Sequence, residues 1–66
     1  MVSECYLNYA KLRDKEHLTD YYVSKKTGLN RSIISLWKSG ATKPSLNSLE
    51  KLSKFFNVPI SYFYEG

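Results

Sequence analysis

The stretch LTDYYVSKKTGLNRSIISLWKSG, residues 18–40, decides the fold of this chain. Thr19 is a suitable helix N-cap, because its hydroxyl can accept a hydrogen bond from a free amide in the first turn. A helix is therefore predicted from Asp20 to about Thr27. Gly28 supplies the positive φ that ends a helix cleanly.

A second helix is predicted directly after this glycine. Asn30 is a strong N-cap, so the helix is expected to run from Arg31 to about Ser39 and to stop at Gly40. Ser24 is small enough for the two helices to approach each other. Four apolar residues of the unit are expected to pack inward: Val23, Leu29 (which fills the turn), Ile34 and Trp37. This order of helix, glycine turn and helix is the sequence outline of a helix-turn-helix motif.

The flanking sequence predicts three more helical segments. Ser3 caps a first helix to about Lys15, with an apolar stripe of Tyr6, Tyr9 and Leu12 (or Ala10). Pro44-Ser45 opens a fourth, with a stripe of Leu46, Leu49, Leu52 (or Ser53) and Phe56, and Asn57 is its C-cap. A last turn is expected from Ile60 to Tyr64. Five helices without an alternating strand pattern predict one all-α domain over residues 1–66.

Length and composition exclude several classes of function. A 66-residue chain is one domain, and its single cysteine excludes an internal disulfide. Cys5 is expected to be a small apolar side chain in a reducing compartment, with a reactive or intermolecular thiol as the alternative. No segment is long or apolar enough to span a bilayer, so a cytoplasmic protein is expected. His17 is the only histidine and no carboxylate pair or phosphate-binding glycine loop is present, so no enzyme, metal site or cofactor is expected.

The net charge of +4 lies entirely in the middle of the chain. Residues 1–18 and residues 45–66 each sum to zero. Residues 19–44 hold one acid, Asp20, and five bases: Lys25, Lys26, Arg31, Lys38 and Lys43. A localised basic face favours a polyanionic partner. An ordinary solvated lysine face is the alternative, and charge alone does not decide between them.

The chain resembles the Cro/cI-type (XRE) helix-turn-helix family of phage and bacterial repressors. The matching positions are Tyr9-x-x-Leu12-Arg13, Leu18-Thr19, Gly28-Leu29-Asn30, Ile34-Ser35-x-Trp37, Gly40, Pro44-Ser45-Leu46, Leu49-x-x-Leu52 and Asn57-Val58. The resemblance implies a five-helix, lambda-repressor-like domain that binds double-stranded DNA and regulates transcription.

Two positions depart from the family pattern. The family usually has Gln where this chain has Asp20, and there it touches the DNA backbone, so this carboxylate is expected to turn away or to act as a helix-start charge. The family commonly has Glu at the position of Lys38, paired with the arginine that Arg13 matches. Both residues are cationic here, so that pair cannot form, and Lys38 is free for phosphate or for solvent.

The outward arc of the second motif helix is expected to enter the major groove. Arg31 is the first choice for base reading, because a guanidinium pairs bidentately with guanine O6 and N7, and Leu36 would meet a thymine methyl. The candidate base contacts are Arg31, Ser32, Leu36, Asn30 and Ser35. For Asn30 and Ser32, helix capping is the alternative. The candidate phosphate contacts are Lys43, Lys38, Lys25, Lys26 and Thr19.

The aromatic C-terminal segment suggests a homodimer, since related repressors dimerise near this region. The candidate interface residues are Phe55, Ile60, Tyr62 and Tyr64, with closure of the monomer core by Phe56, Ile60 and Phe63 as the alternative. The sequence thus predicts a repressor that binds a pseudo-palindromic operator, on its own or as the N-terminal part of a longer protein. A protein-interaction module, such as the antitoxin of a toxin-antitoxin pair, is the competing function.

Overall fold

A computed structural model describes residues 2–64, and within this range the chain contains helices and no strand. The elements are α1 (Glu4–Lys15), α2 (Asp20–Thr27), α3 (Arg31–Ser39), α4 (Leu46–Phe56) and a C-terminal 3₁₀ helix (Ile60–Tyr64). The all-α prediction and the positions of all five helical segments are confirmed, with the difference that the fifth segment is a 3₁₀ helix.

The predicted caps explain why each helix begins where it does. In every case the side-chain oxygen of the cap accepts a hydrogen bond from a backbone amide in the first turn. The pairs are Ser3 with Tyr6 (3.2 Å), Thr19 with Tyr22 (3.1 Å), Asn30 with Ser32 (2.7 Å) and Ser45 with Ser48 (3.2 Å).

Three helices end in the left-handed conformation, as predicted. Gly28 has φ 79°, Gly40 has φ 84° and Asn57 has φ 58°. His17, in the link between α1 and α2, also has a positive φ of 58° and is exposed. These reversals fold the short helices back onto a common core.

An aromatic centre holds the helices together. The rings of Tyr9, Trp37 and Phe63 are at most 1% exposed. Tyr9 meets Trp37 edge to face at 6.4 Å between ring centroids, and Phe56 at 6.2 Å. Asn8, itself buried, donates from Nδ2 to the carbonyl of Phe63 at 2.9 Å, which fastens the C-terminal 3₁₀ helix to α1. The remaining buried apolar residues are Tyr6, Leu12, Val23, Leu29, Ile34, Leu49 and Leu52.

The prediction that Leu46 belongs to the buried apolar stripe of α4 is wrong. Leu46 is 59% exposed, whereas Leu49 and Leu52 on the same helix are completely buried. Leu46 is the first residue of α4, and helical side chains point back toward the helix N-terminus. Its side chain therefore extends past the edge of the core, although its spacing fits the apolar stripe.

The turn of the motif provides a test of backbone conformation. A methyl group on Gly28 would meet no atom within 4 Å apart from those of its chain neighbours, so the obstacle to a side chain is the positive φ. Gly28→Ala should lower the free energy of unfolding by about 1–2 kcal/mol. Gly28→Asn should cost less, because Asn tolerates this conformation. Equal losses for both variants in urea titrations would show that the conformation is not the cause.

Candidate nucleic-acid interface

The two faces of α3 separate as the sequence predicted. Ile34 and Trp37 are buried, at 0% and 1% exposure, and pack against the rest of the core. Four residues of the opposite arc are exposed: Arg31, Ser32, Ser35 and Leu36. Leu36 is 45% exposed, which makes it an apolar group available to a base methyl. The arc therefore presents one cation, two hydroxyls and one apolar side chain to solvent.

A cleft of about 330 Å³ lies between the start of α2 and the outer face of α3. Its lining, which we call the α2–α3 cleft, consists of Thr19, Asp20, Tyr21, Arg31, Ser35 and Lys38. The structure thus brings together four of the residues that the sequence proposed for DNA contact, two of them cations. Asp20 and Tyr21 were not among those candidates.

The Asp20 carboxylate in this cleft forms its hydrogen bonds with α1. Arg13 of α1 donates from Nη1 to Asp20 Oδ1 at 2.7 Å, and the Tyr9 hydroxyl donates to the same oxygen at 2.7 Å. The Arg13 and Asp20 side chains are only 18% and 26% exposed. Arg13 therefore has an acidic partner on α2 where the family pattern places that partner at position 38. Asp20 turns inward, which agrees with the expectation that its carboxylate turns away from the DNA backbone.

Contact with Asp20 raises the pKa values of both Tyr9 and Arg13. Burial raises the pKa of Tyr9, and the hydrogen bond and negative charge of Asp20 raise it further. Burial opposes the charge of Arg13, yet hydrogen bonds to Asp20, Tyr6 and Asp14 leave the pKa of Arg13 above its usual value. Both protons are therefore held firmly, so Tyr9 stays neutral and Arg13 stays charged over the ordinary pH range.

Arg31 and Lys38 have no such partner. Within residues 2–64, Arg13 is the only base that forms an ion pair, and its acids are Asp14 and Asp20. Because the Asp20 charge is directed to Arg13, the outer part of the α2–α3 cleft keeps its positive charge. This is the electrostatic pattern of an anion-binding surface.

Two aromatic residues accompany the basic side chains of α2. The ammonium of Lys25 lies 5.3 Å from the ring centre of Tyr21, and that of Lys26 lies 5.6 Å from the ring centre of Tyr22. The Arg31 guanidinium lies 5.6 Å from the same Tyr21 ring. Each tyrosine is four residues from its lysine, which places the two on one side of a helix. This spacing is the feature of the sequence from which the two contacts could have been predicted.

Other candidate residues lie apart from the cleft. Lys26 is at the far end of α2, in a separate depression that also includes Thr27, Lys51, Lys54 and Phe55. Lys43 is exposed in the loop after α3. The Asn30 side chain caps α3, so its oxygen is already used.

The candidate dimer residues serve the monomer core to different degrees. Phe55, Ile60 and Tyr62 are partly buried against the core of the same chain. Phe55 packs on Phe56 with ring centroids 4.8 Å apart. Tyr64 is 56% exposed and has the most free surface of the four.

The described residues contain little that points to other chemistry. Residues 2–64 include no helix that is long and apolar enough to cross a membrane, and no acid, His or Cys cluster that could hold a metal. Cys5 is a free, half-buried thiol, and burial together with the charge of Glu4 raises its pKa, which disfavours a reactive thiolate.

Comparison with known proteins agrees with this geometry. A helix-turn-helix family profile matches residues 10–63. A similar protein is the HTH-type transcriptional activator BcrR of Enterococcus faecalis, which is 36% identical over 56 residues. That match covers 85% of this chain but only 28% of the relative. No solved structure is significantly similar to this chain.

The ion pair between α1 and α2 gives a stability prediction. Asp20→Asn keeps an oxygen for the Tyr9 hydroxyl but removes the charge opposite Arg13. Because the pair is neither fully exposed nor fully buried, we expect a loss of about 1–2 kcal/mol, between the values for surface and buried pairs. Asp14→Asn is the matched control, because the Asp14 side chain is 69% exposed, and it should cost less than about 0.5 kcal/mol. Denaturant titration followed by Trp37 fluorescence measures both, and equal effects would contradict the assignment.

The raised pKa of Tyr9 gives a pH prediction. Above about pH 10 the unfolded chain releases this proton while the folded protein retains it. The free energy of unfolding should therefore fall by up to about 1.4 kcal/mol per pH unit more in the wild type than in Tyr9→Phe. Below pH 9 the difference between the two proteins should be constant, which is the internal control. Parallel curves above pH 10 would be the contrary result.

Proposed function

We propose, from the premise that this chain belongs to the XRE-type helix-turn-helix family of DNA-binding transcription regulators, that it recognises a specific operator through the outer arc of α3. One observation supports this most directly. The only acid of the basic segment, Asp20, is paired with Arg13, so the cations beside α3 remain available to a polyanion.

In this proposal the N-terminal half of α3 reads bases in the major groove. Arg31 reads a guanine, Leu36 contacts a thymine methyl, and Ser32 and Ser35 donate to or accept from base edges. Asn30 holds the end of α3 in place through its cap and sits at the tip of the arc. Exposure of these side chains supports the assignment, since each is accessible without rearrangement of the backbone.

Phosphate contacts surround this arc. Lys38 and Thr19 line the same cleft as Arg31, and Lys43 follows in the next loop. The α2 N-terminus carries partial positive charge, which adds to the attraction for a phosphate beside Thr19. Lys25 borders this surface through its contact with Tyr21. Lys26 lines a separate depression at the other end of α2 and is the weakest phosphate candidate.

We further propose that two copies bind a pseudo-palindromic operator, with recognition helices about 34 Å apart. Tyr64 and the partly exposed edges of Phe55, Ile60 and Tyr62 would form the interface. Repression is the proposed outcome, because an operator-bound domain needs no further surface to block a promoter. Activation is the named role of the longer relative, of which this chain matches 28%.

Selection of binders from random duplex DNA tests the operator proposal. Enrichment of an inverted repeat with half-sites one helical turn apart is expected. Enrichment of a single half-site would contradict the dimer but leave base recognition intact. Failure to enrich any motif would contradict sequence-specific binding altogether.

The proposal assigns different roles to two cations of the cleft. Arg31→Ala should lower discrimination at one base pair by about 1–3 kcal/mol, whereas Lys38→Ala should weaken all sequences alike and reduce the salt slope by about one. Lys11→Ala, an exposed lysine on α1, is the control and should change neither quantity. Fluorescence anisotropy on matched and single-mismatch duplexes at several salt concentrations measures both. Uniform losses for Arg31→Ala would show that it holds only phosphate.

An antitoxin-like protein-interaction module is the second candidate function. Helix-turn-helix folds are used for docking as well as for DNA. The unpaired cations favour DNA, since protein docking does not require a basic recognition helix. Affinity that is indifferent to salt would favour a protein partner.

A further inference from the structure

Tyr21 occupies a central place in the basic surface without belonging to the core. Its ring is 52% exposed, and it lies in the α2–α3 cleft beside Arg31 and Ser35. Two cations, Lys25 and Arg31, lie 5.3 Å and 5.6 Å from its ring centre, within the range of a cation–π interaction. Packing of the monomer does not explain an exposed tyrosine with two cations on its ring.

Among residues 2–64, the Tyr21 ring is the one group that the Arg31 guanidinium contacts through a charge or ring interaction. Within residues 2–64 its guanidinium has no ion pair, and Asp20, the nearest acid in the cleft, is committed to Arg13 and Tyr9. Arg31 is also the first residue of α3, where the partial positive charge of the helix end repels a cation. The Tyr21 ring offsets this repulsion and limits the rotamers of a long side chain.

We infer that Tyr21 is a positioning residue for base recognition, which holds the Arg31 guanidinium toward the major groove before DNA arrives. The inference rests on the proposed function and deepens it. A ring contact uses no oxygen acceptor, so it leaves the N–H donors of Arg31 available for guanine O6 and N7. A carboxylate in the same place would occupy those donors. Restriction of Arg31 before binding lowers the ordering cost of the complex.

The inference separates Tyr21 from Lys25, which shares its ring. Lys25 is a compact charge suited to a phosphate, and its loss should affect all sequences alike. Loss of the ring should act at a single base pair through Arg31, whereas any effect through Lys25 would be equal on every sequence. A merely structural role for Tyr21 would lower stability or general affinity and would not select one base pair.

The test compares Tyr21→Leu, which removes the ring, with Tyr21→Phe, which keeps it. Duplex DNA carrying the selected site, and the same site with the Arg31-dependent base pair replaced, are the probes. Tyr21→Leu should reduce discrimination at that base pair about two- to fivefold, the factor expected for an exposed cation–π contact. Tyr21→Phe should retain both discrimination and melting temperature, whereas Tyr21→Leu should remain folded and lose about 5–10 °C in melting temperature, because the ring is half exposed and its two cation contacts are lost.

Three outcomes would overturn the inference. They are unchanged discrimination in Tyr21→Leu, an equal loss of affinity on every sequence, or an equal loss of discrimination in Tyr21→Phe, which would assign the effect to the hydroxyl. Lys25→Ala should lower the salt slope and preserve discrimination. Failure of the proposed function looks different, because Arg31→Ala would then show no base-pair preference to lose.

Discussion

The arrangement of charge in this domain depends on the ion pair between Asp20 and Arg13. The Asp20 carboxylate lies on the first turn of α2, inside the segment that carries the whole net charge, and one of its oxygens accepts from both Arg13 and Tyr9. The two hydrogen bonds to this oxygen connect α2 to α1, and the charge of Arg13 neutralises the one acid of residues 19–44. Without that inward partner, the acid would compete with any phosphate for Arg31 and Lys38.

The pairing also explains how a basic surface and a small core coexist in one short chain. Small domains bury a limited fraction of their surface, so a buried charge must be matched locally. Arg13 lies on the α1 side of α2, where its ion pair with Asp20 contributes to the stability of the monomer. Arg31 and Lys38 are placed in front, where their charge is unpaired within the described residues. Arginine thus contributes to stability on α1 and, in the proposed function, to base recognition on α3.

Local signals in the sequence predicted most of the fold. Each N-cap and each left-handed end depends on one residue and its neighbours within four positions, so Ser3, Thr19, Asn30 and Gly28 could be interpreted without tertiary information. Leu46 shows the limit of this approach, because spacing gives the face of a helix but not where the core ends. The partner of Asp20 was equally hidden, since Arg13 is seven residues away and on another helix.

The exposed face of α3 was predictable from the sequence, whereas its contacts with α2 were not. Exposure of Arg31, Ser32 and Leu36 followed from the period of α3, because Ile34 and Trp37 had to face inward. Whether a long side chain is held in place depends on what the neighbouring helix presents to it. The sequence-based candidates for phosphate contact were mainly charged residues, whereas the residue that contacts Arg31 is the neutral Tyr21.

A surface of unpaired cations has a consequence for the free domain. Lys25 and Arg31 share one ring and Lys38 lines the same cleft, so these like charges repel one another in the absence of a partner. Aromatic rings reduce this repulsion without adding negative charge, which an acid could not do. A polyanion that binds here relieves the remaining repulsion and releases its own counterions. The same arrangement that costs the free domain some stability therefore adds to the free energy of binding, and it does so most strongly at low salt.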